Sequence, residues 1–123
     1  MQFGTNNASR AVPSGKGLIP DDAGYSGSFK NSVQRIIDRL KRSNKVPMLA
    51  NVPFRRNASA SQDQSIRDYN IVIDELMVAN DTAVTPPNFY TYFSQHLQQF
   101  SDDLHPNAAG FQATVELWFQ AII

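Results

Sequence analysis

The chain of 123 residues contains no cysteine. That removes disulfides, thiolate metal sites and a cysteine nucleophile, without indicating a compartment. A charge imbalance is also missing. Eleven Lys and Arg stand against eleven Asp and Glu, so nucleic acid or an anionic membrane surface has no electrostatic footprint to meet. No apolar run approaches the ~20 residues that a membrane-spanning helix needs. Met1-Gln2-Phe3-Gly4 has no basic stretch leading into an apolar one, so no signal peptide is expected there. What the chain does have is a 41% apolar fraction with eight Phe, four Tyr and one Trp. That is enough for a core, and the length suits one small domain over 1–123.

Met1-Gln2-Phe3 reads as the end of a buried strand running into the turn Gly4-Thr5-Asn6-Asn7. Residues 8–24 hold Pro13, Gly15, Gly17, Pro20 and Gly24 and read as a loop. Over 26–43, Phe29, Val33, Ile36, Ile37 and Leu40 recur on one face and predict a helix, with Ser26 as its N-cap. Lys30, Arg35, Asp38, Arg39, Lys41 and Arg42 lie mostly off that stripe and form a solvated face. The apolar run 46–52, ended by Pro53, predicts a buried parallel strand. A polar loop follows over 54–63. A second helix is expected over 64–79, with Ile66, Tyr69, Ile73, Leu76 and Met77 facing the core. Residues 88–100 are aromatic-rich and predict a short helix or turn. After Pro106 a last helix is expected, N-capped by Asn107, with Phe111, Val115, Trp118, Phe119 and Ile122 as its core face. Strand, helix, strand, helix with short connections implies a βαβ unit and a parallel sheet. The expected class is therefore α/β, with only two strands visible.

The segment Asp102-Asp103-Leu104-His105-Pro106-Asn107 carries the clearest chemistry. Asp102 and His105 are three apart, which on a helical turn puts them on one side. The carboxylate can then accept the Nδ1–H and leave Nε2 free to take a proton. By spacing alone, the plainer reading is an acidic surface turn before a helix. A metal site at Asp102, Asp103 and His105 lacks a second cluster to supply further ligands. Gly4 and Asn6 form the second constellation, just past the end of the expected strand, where open α/β sheets place ligands. Gly4 permits close approach, and the Asn6 amide is a neutral donor suited to an oxyanion. Taken alone, this too is an ordinary Gly/Asn turn. His96 reads as a packing or surface histidine.

Taken together, the two segments resemble a known family. Gly4-Thr5-Asn6 resembles the Gly-x-Asn-Asp block of the SGNH (GDSL-type) hydrolases, and Asp102 to Asn107, followed by Gly110, resembles their Asp-x-x-His block. Leu49-Ala50-Asn51-Val52-Pro53 and Asp68-Tyr69-Asn70 stand where such enzymes have their fourth strand and following helix. The likeness covers essentially the whole chain and corresponds to the C-terminal two-thirds of a family domain. It implies a partial SGNH, flavodoxin-like three-layer fold: a short parallel sheet flanked by helices, in a truncated domain. It further implies cleavage of small carboxylic esters through a serine acyl-enzyme, with no cofactor or metal. His105 would be general base and then acid, Asp102 its orienting partner, and Asn6 with Gly4 the oxyanion side.

Two departures stand out. Asn7 occupies a position where the family usually has Asp, and the Gly-Asp-Ser and Gly blocks are absent, both normally lying upstream of residue 1. The nucleophile is accordingly unassigned. Ser26 fails the Gly-x-Ser-x-Gly pattern. Ser9, near Gly4 and Asn6 in sequence, is a candidate that the pattern does not favour. A strand at 1–3 with an open edge predicts self-association, as a homo-oligomer or a strand-exchanged dimer. The alternative function is a non-catalytic fragment or binding and oligomerising module built on the same fold.

Overall fold

The computed structural model describes residues 4–82 and 85–123. The elements run α1 (Thr5–Ser9), α2 (Phe29–Arg42), α3 (Ala60–Asn80), α4 (Phe89–Ser94), a 3-10 turn (Leu97–Gln99) and α5 (Ala108–Ile122). The expected α/β class is overturned. Among the described residues there is no sheet, and the one strand-like pairing is an isolated bridge between Phe100 and Pro106. The strand expected at 1–3 lies outside the described residues.

The strand expected at 46–52 is irregular backbone instead, with Leu49, Ala50 and Val52 almost inaccessible to solvent and Val46 exposed. The reason lies in the partners that its backbone meets. Asn51 N–H donates to the carbonyl of Pro87 at 3.1 Å, and Pro86 and Pro87 have no N–H to return. Pro47 and Pro53 remove two more donors from the segment itself. In place of a neighbouring strand, the Asn70 side chain of α3 closes on Val52. Its Oδ1 accepts the Val52 N–H at 2.6 Å and its Nδ2 donates to the Val52 carbonyl at 3.1 Å.

Two apolar clusters flank this segment. Leu49 and Val52 join Ala8 of α1, Phe29, Val33 and Ile37 of α2, and the Ile66–Tyr69–Val72–Ile73–Leu76 face of α3. Ala50 joins Phe89, Phe93 and Phe100, with Trp118 and Leu117 of α5 packed against them. Phe29 stacks on Tyr69 at 4.3 Å between centroids, and Phe89 meets Trp118 edge-on at 6.1 Å.

The helices begin where local chemistry allows. Ser28, not Ser26, caps α2: its Oγ accepts from Asn31 N–H and donates to the Tyr25 carbonyl. α3 starts four residues earlier than its apolar face suggests, because Ser59 and Gln62 form a capping box. Asn107 caps α5 as expected. Within α2, Ile36 lies largely outside the core, and within α3 Met77 is only half-buried. The long loop between α1 and α2 is tied to α3 by Glu75, which accepts from Gly17 N–H and from Lys30 Nζ at 2.8 Å. Burial pushes the Glu75 carboxyl up, but the Lys30 and Gly17 hydrogen bonds and the nearby Lys charges bring it below its ordinary value.

Gly4, at the start of α1, has φ 113°, and a Cβ there would sit 2.5 Å from Val52 Cγ2. Only glycine lets α1 lie this close to the buried segment.

Removing the Asn70 clasp tests this architecture. Asn70→Ala leaves the Val52 N–H and carbonyl without these partners, and unfolding in urea is expected to show a loss of about 2–4 kcal/mol. A midpoint unchanged from wild type would show that the clasp carries no stability.

Candidate functional site

Asp102 begins a tight turn. One oxygen, Oδ1, accepts the N–H of Leu104 at 2.7 Å and of His105 at 2.6 Å, and the same carboxylate meets His105 Nδ1 at 2.9 Å through Oδ2. The His105 backbone N–H first, then its ring and the Leu104 N–H, hold the Asp102 carboxyl well below the usual carboxylate range. An ionised carboxylate only accepts, so Nδ1 carries the proton and Nε2 is the basic nitrogen of the neutral ring.

The loop is closed behind the pair. Ser101 donates to the His105 carbonyl from its N–H at 2.8 Å and from its Oγ at 3.1 Å. Asn107 donates to the carbonyls of Gln99 and Gln98, at 2.8 Å each, while its Oδ1 accepts from Gly110 N–H. Gly110 is buried, and a Cβ there would collide with the Gln99 carbonyl oxygen and sit 2.8 Å from Pro106 Cβ. The first turn of α5 can therefore press directly on the loop that carries His105.

His105 opens onto a cleft of about 440 Å³. Residues 4–7 line it, together with Leu104, His105, Pro106 and Thr114, and Pro53 and Phe93 add apolar lining. Gly4 and Asn6 thus share one cleft with His105, although they come from opposite ends of the chain. Asp102 stands behind His105 and is not among the lining residues. The Asn6 amide is exposed and has no hydrogen-bond partner among the described residues. The pair itself is also open to water, with the side chain of His105 69% and that of Asp102 59% exposed.

Ser9 does not line the cleft. Its Oγ donates to the Thr5 carbonyl at 3.3 Å and accepts from Arg55 Nη1 at 2.6 Å. Among the described residues the cleft has two hydroxyls, those of Thr5 and Thr114, and no serine. Thr114 is engaged with the Gly110 carbonyl. Asp103 turns to a different set of partners, Arg56 and Asn57. Among the described residues no three His, Asp or Glu side chains gather as a metal site would require, and no helix is long and apolar enough to cross a membrane. His96 stacks on Tyr92 at 4.0 Å, with its Nδ1 at the Tyr92 carbonyl, away from the cleft lining.

Sequence reasoning missed Thr5, Phe93, Pro53 and Thr114 as cleft residues. Thr5 sat inside the quoted Gly-Thr-Asn block. The other three carry no local signal, because only tertiary packing brings them there. Comparison with protein families, with characterised proteins and with solved structures finds no match for this chain.

The depressed Asp102 carboxyl has a definite sign. Its contribution to stability is present above the ordinary carboxylate range and is lost as pH falls through its lower folded value. Carboxyl-carbon NMR should find Asp102 still ionised at about pH 3, below the ~3.9 of a free Asp side chain. Replacing His105 by Ala should move the titration back towards ordinary values. A wild-type titration at the ordinary value would remove the orienting contact.

Proposed function

We propose that this cleft is part of a carboxylic-ester hydrolase site working by a Ser-His-Asp mechanism, with the serine supplied by a segment outside these 123 residues. The reading rests on the resemblance of the two short blocks, not on the fold. The observation that supports it best is that Asn6 and His105 line one cleft while Asp102 holds Nδ1 of His105. His105 Nε2 takes the serine proton as the hydroxyl adds to the ester carbonyl. The Asn6 amide donates to the oxygen on which negative charge develops, and His105 then returns the proton to the leaving alcohol. Asp102 keeps the ring in the required tautomer throughout. Water repeats the sequence on the acyl-enzyme.

A second reading has its own observation. No serine lines the cleft among the described residues. A non-catalytic module that binds an ester or a partner there needs none.

A serine-reactive phosphonate and a short aryl ester separate the two, applied to the protein as its gene encodes it. Catalysis predicts covalent labelling at one serine, abolished by His105→Ala. It also predicts a loss of about 10²- to 10⁴-fold in ester turnover for that variant. His105 is exposed, so the substitution should leave the fold unchanged by circular dichroism. Absence of both labelling and turnover in the folded wild type would leave the binding reading.

A further inference from the structure

The apolar face expected to bury α5 does not do so. Gly110 and Ala113 are buried and Leu117 and Trp118 partly so, whereas Phe111 is 65%, Val115 50%, Phe119 63% and Ile122 56% exposed. Phe111, Val115 and Phe119 are spaced i, i+4, i+8, a single ridge along the helix. Ile122 continues the same face one turn further on. With Phe side chains offering roughly 150–250 Å² each, the face presents about 500 Å² of apolar surface. That matches the largest apolar patch of a typical monomer, a patch that is often functional.

We propose that this face is the interface of a homodimer, in which α5 packs antiparallel on α5 of a second copy. Three features select that occupant. First, the ridge is palindromic: read in either direction it is Phe, Val, Phe. A twofold axis through Val115 sets Phe111 against Phe119 of the second copy and Val115 against Val115, as an isologous interface requires. Ridges of the i, i+4 type interdigitate with their own kind, the commonest way in which helices pack. Second, pairing two such faces removes about 1,000 Å² from water, the size at which a specific interface begins. Third, α5 carries only one charged side chain, Glu116, which lies off the ridge and accepts from Gln112. Self-pairing therefore meets little like-charge repulsion, and a charged partner would find nothing complementary. The strand-exchanged dimer expected from the sequence has no part in this arrangement.

Sedimentation equilibrium at micromolar concentration, on the protein as its gene encodes it, should give twice the mass of one chain. Val115→Arg and Phe119→Glu should each give monomers with undiminished helical circular dichroism, because both positions are exposed in the single chain. Val78→Glu, at an exposed apolar position on α3, should leave the dimer intact. The absence of native cysteine allows a further check. Val115→Cys on the proposed axis should form a disulfide-linked dimer on mild oxidation, and Val78→Cys should not. A wild-type monomer under these conditions overturns the proposal, whatever else covers the ridge. A dimer that survives both α5 substitutions overturns it as well, by placing the interface elsewhere. Neither result bears on ester hydrolysis, which the phosphonate experiment reads separately.

Discussion

Asn70 reaches from α3 to the buried backbone of Val52 and meets both its N–H and its carbonyl. A buried segment has to satisfy these groups somewhere. A neighbouring strand is the usual partner, but here the adjoining backbone is Pro86-Pro87, which can accept but not donate. The carboxamide substitutes for one rung of a sheet ladder. Much of the cleft follows from that choice. Val52 faces the first cluster and sits against Gly4, which seats α1 with Thr5, Asn6 and Asn7 at the cleft. Pro53, the next residue, is itself part of the lining. Ala50 of the same segment is buried among Phe89, Phe93 and Phe100 instead, and the Phe100–Pro106 bridge begins the loop that bears His105.

That loop is fixed from three directions. The Asp102 carboxylate gathers its own following N–H groups, Ser101 returns to the His105 carbonyl, and Arg56 N–H donates to the Asp103 carbonyl at 2.9 Å. Asn107 serves twice, capping α5 and holding the 3-10 turn through Gln98 and Gln99. A histidine at the end of such a loop has little freedom in its backbone, so its ring direction depends mainly on the Nδ1 contact. At more than half exposure, Coulomb attraction between Asp102 and a protonated His105 is weak. What the carboxylate supplies in this setting is direction and tautomer.

The helices were largely legible in the sequence, whereas the sheet it led us to expect is absent among the described residues. Periodic apolar residues in α2 and α3 identified both helices, and the Asn107 cap located the start of α5. The capping box at Ser59 and Gln62 was written in the sequence but lay in a polar stretch that reads as loop. Residues 46–52 have the composition of a buried strand, and Leu49, Ala50 and Val52 are indeed buried, yet composition does not reveal whether a neighbour can complete a ladder. The prolines at 47, 53, 86 and 87 carried that information, distributed over two distant segments. For α5, amphipathic spacing identified the helix but assigned its strongest apolar ridge to the core. Gly110 and Ala113 face inward instead, with Leu117 and Trp118 partly so, and at Gly110 the loop beneath leaves no room even for a Cβ. Of the candidate site, the Asp102–His105 contact was readable from three-residue spacing, and its neighbourhood with Asn6 only by resemblance, since no local rule joins the two ends of a chain.

Exposure sets the chemical limit of the cleft as it stands. Hydrogen-bond donors aimed at a developing oxyanion are most effective where water is excluded, because water competes for the same charge and must reorganise as it forms. Asn6 and His105 face an open cleft, so neither gains that advantage from the described residues alone. A segment that brought a serine to Nε2 would also cover the pair, lowering the local dielectric and strengthening each contact already in place. Nucleophile and enclosure would then be supplied by one event. This is the arrangement under which an exposed, well-oriented Asp–His pair becomes an effective base, and without it the same geometry is better suited to holding a ligand than to transforming one.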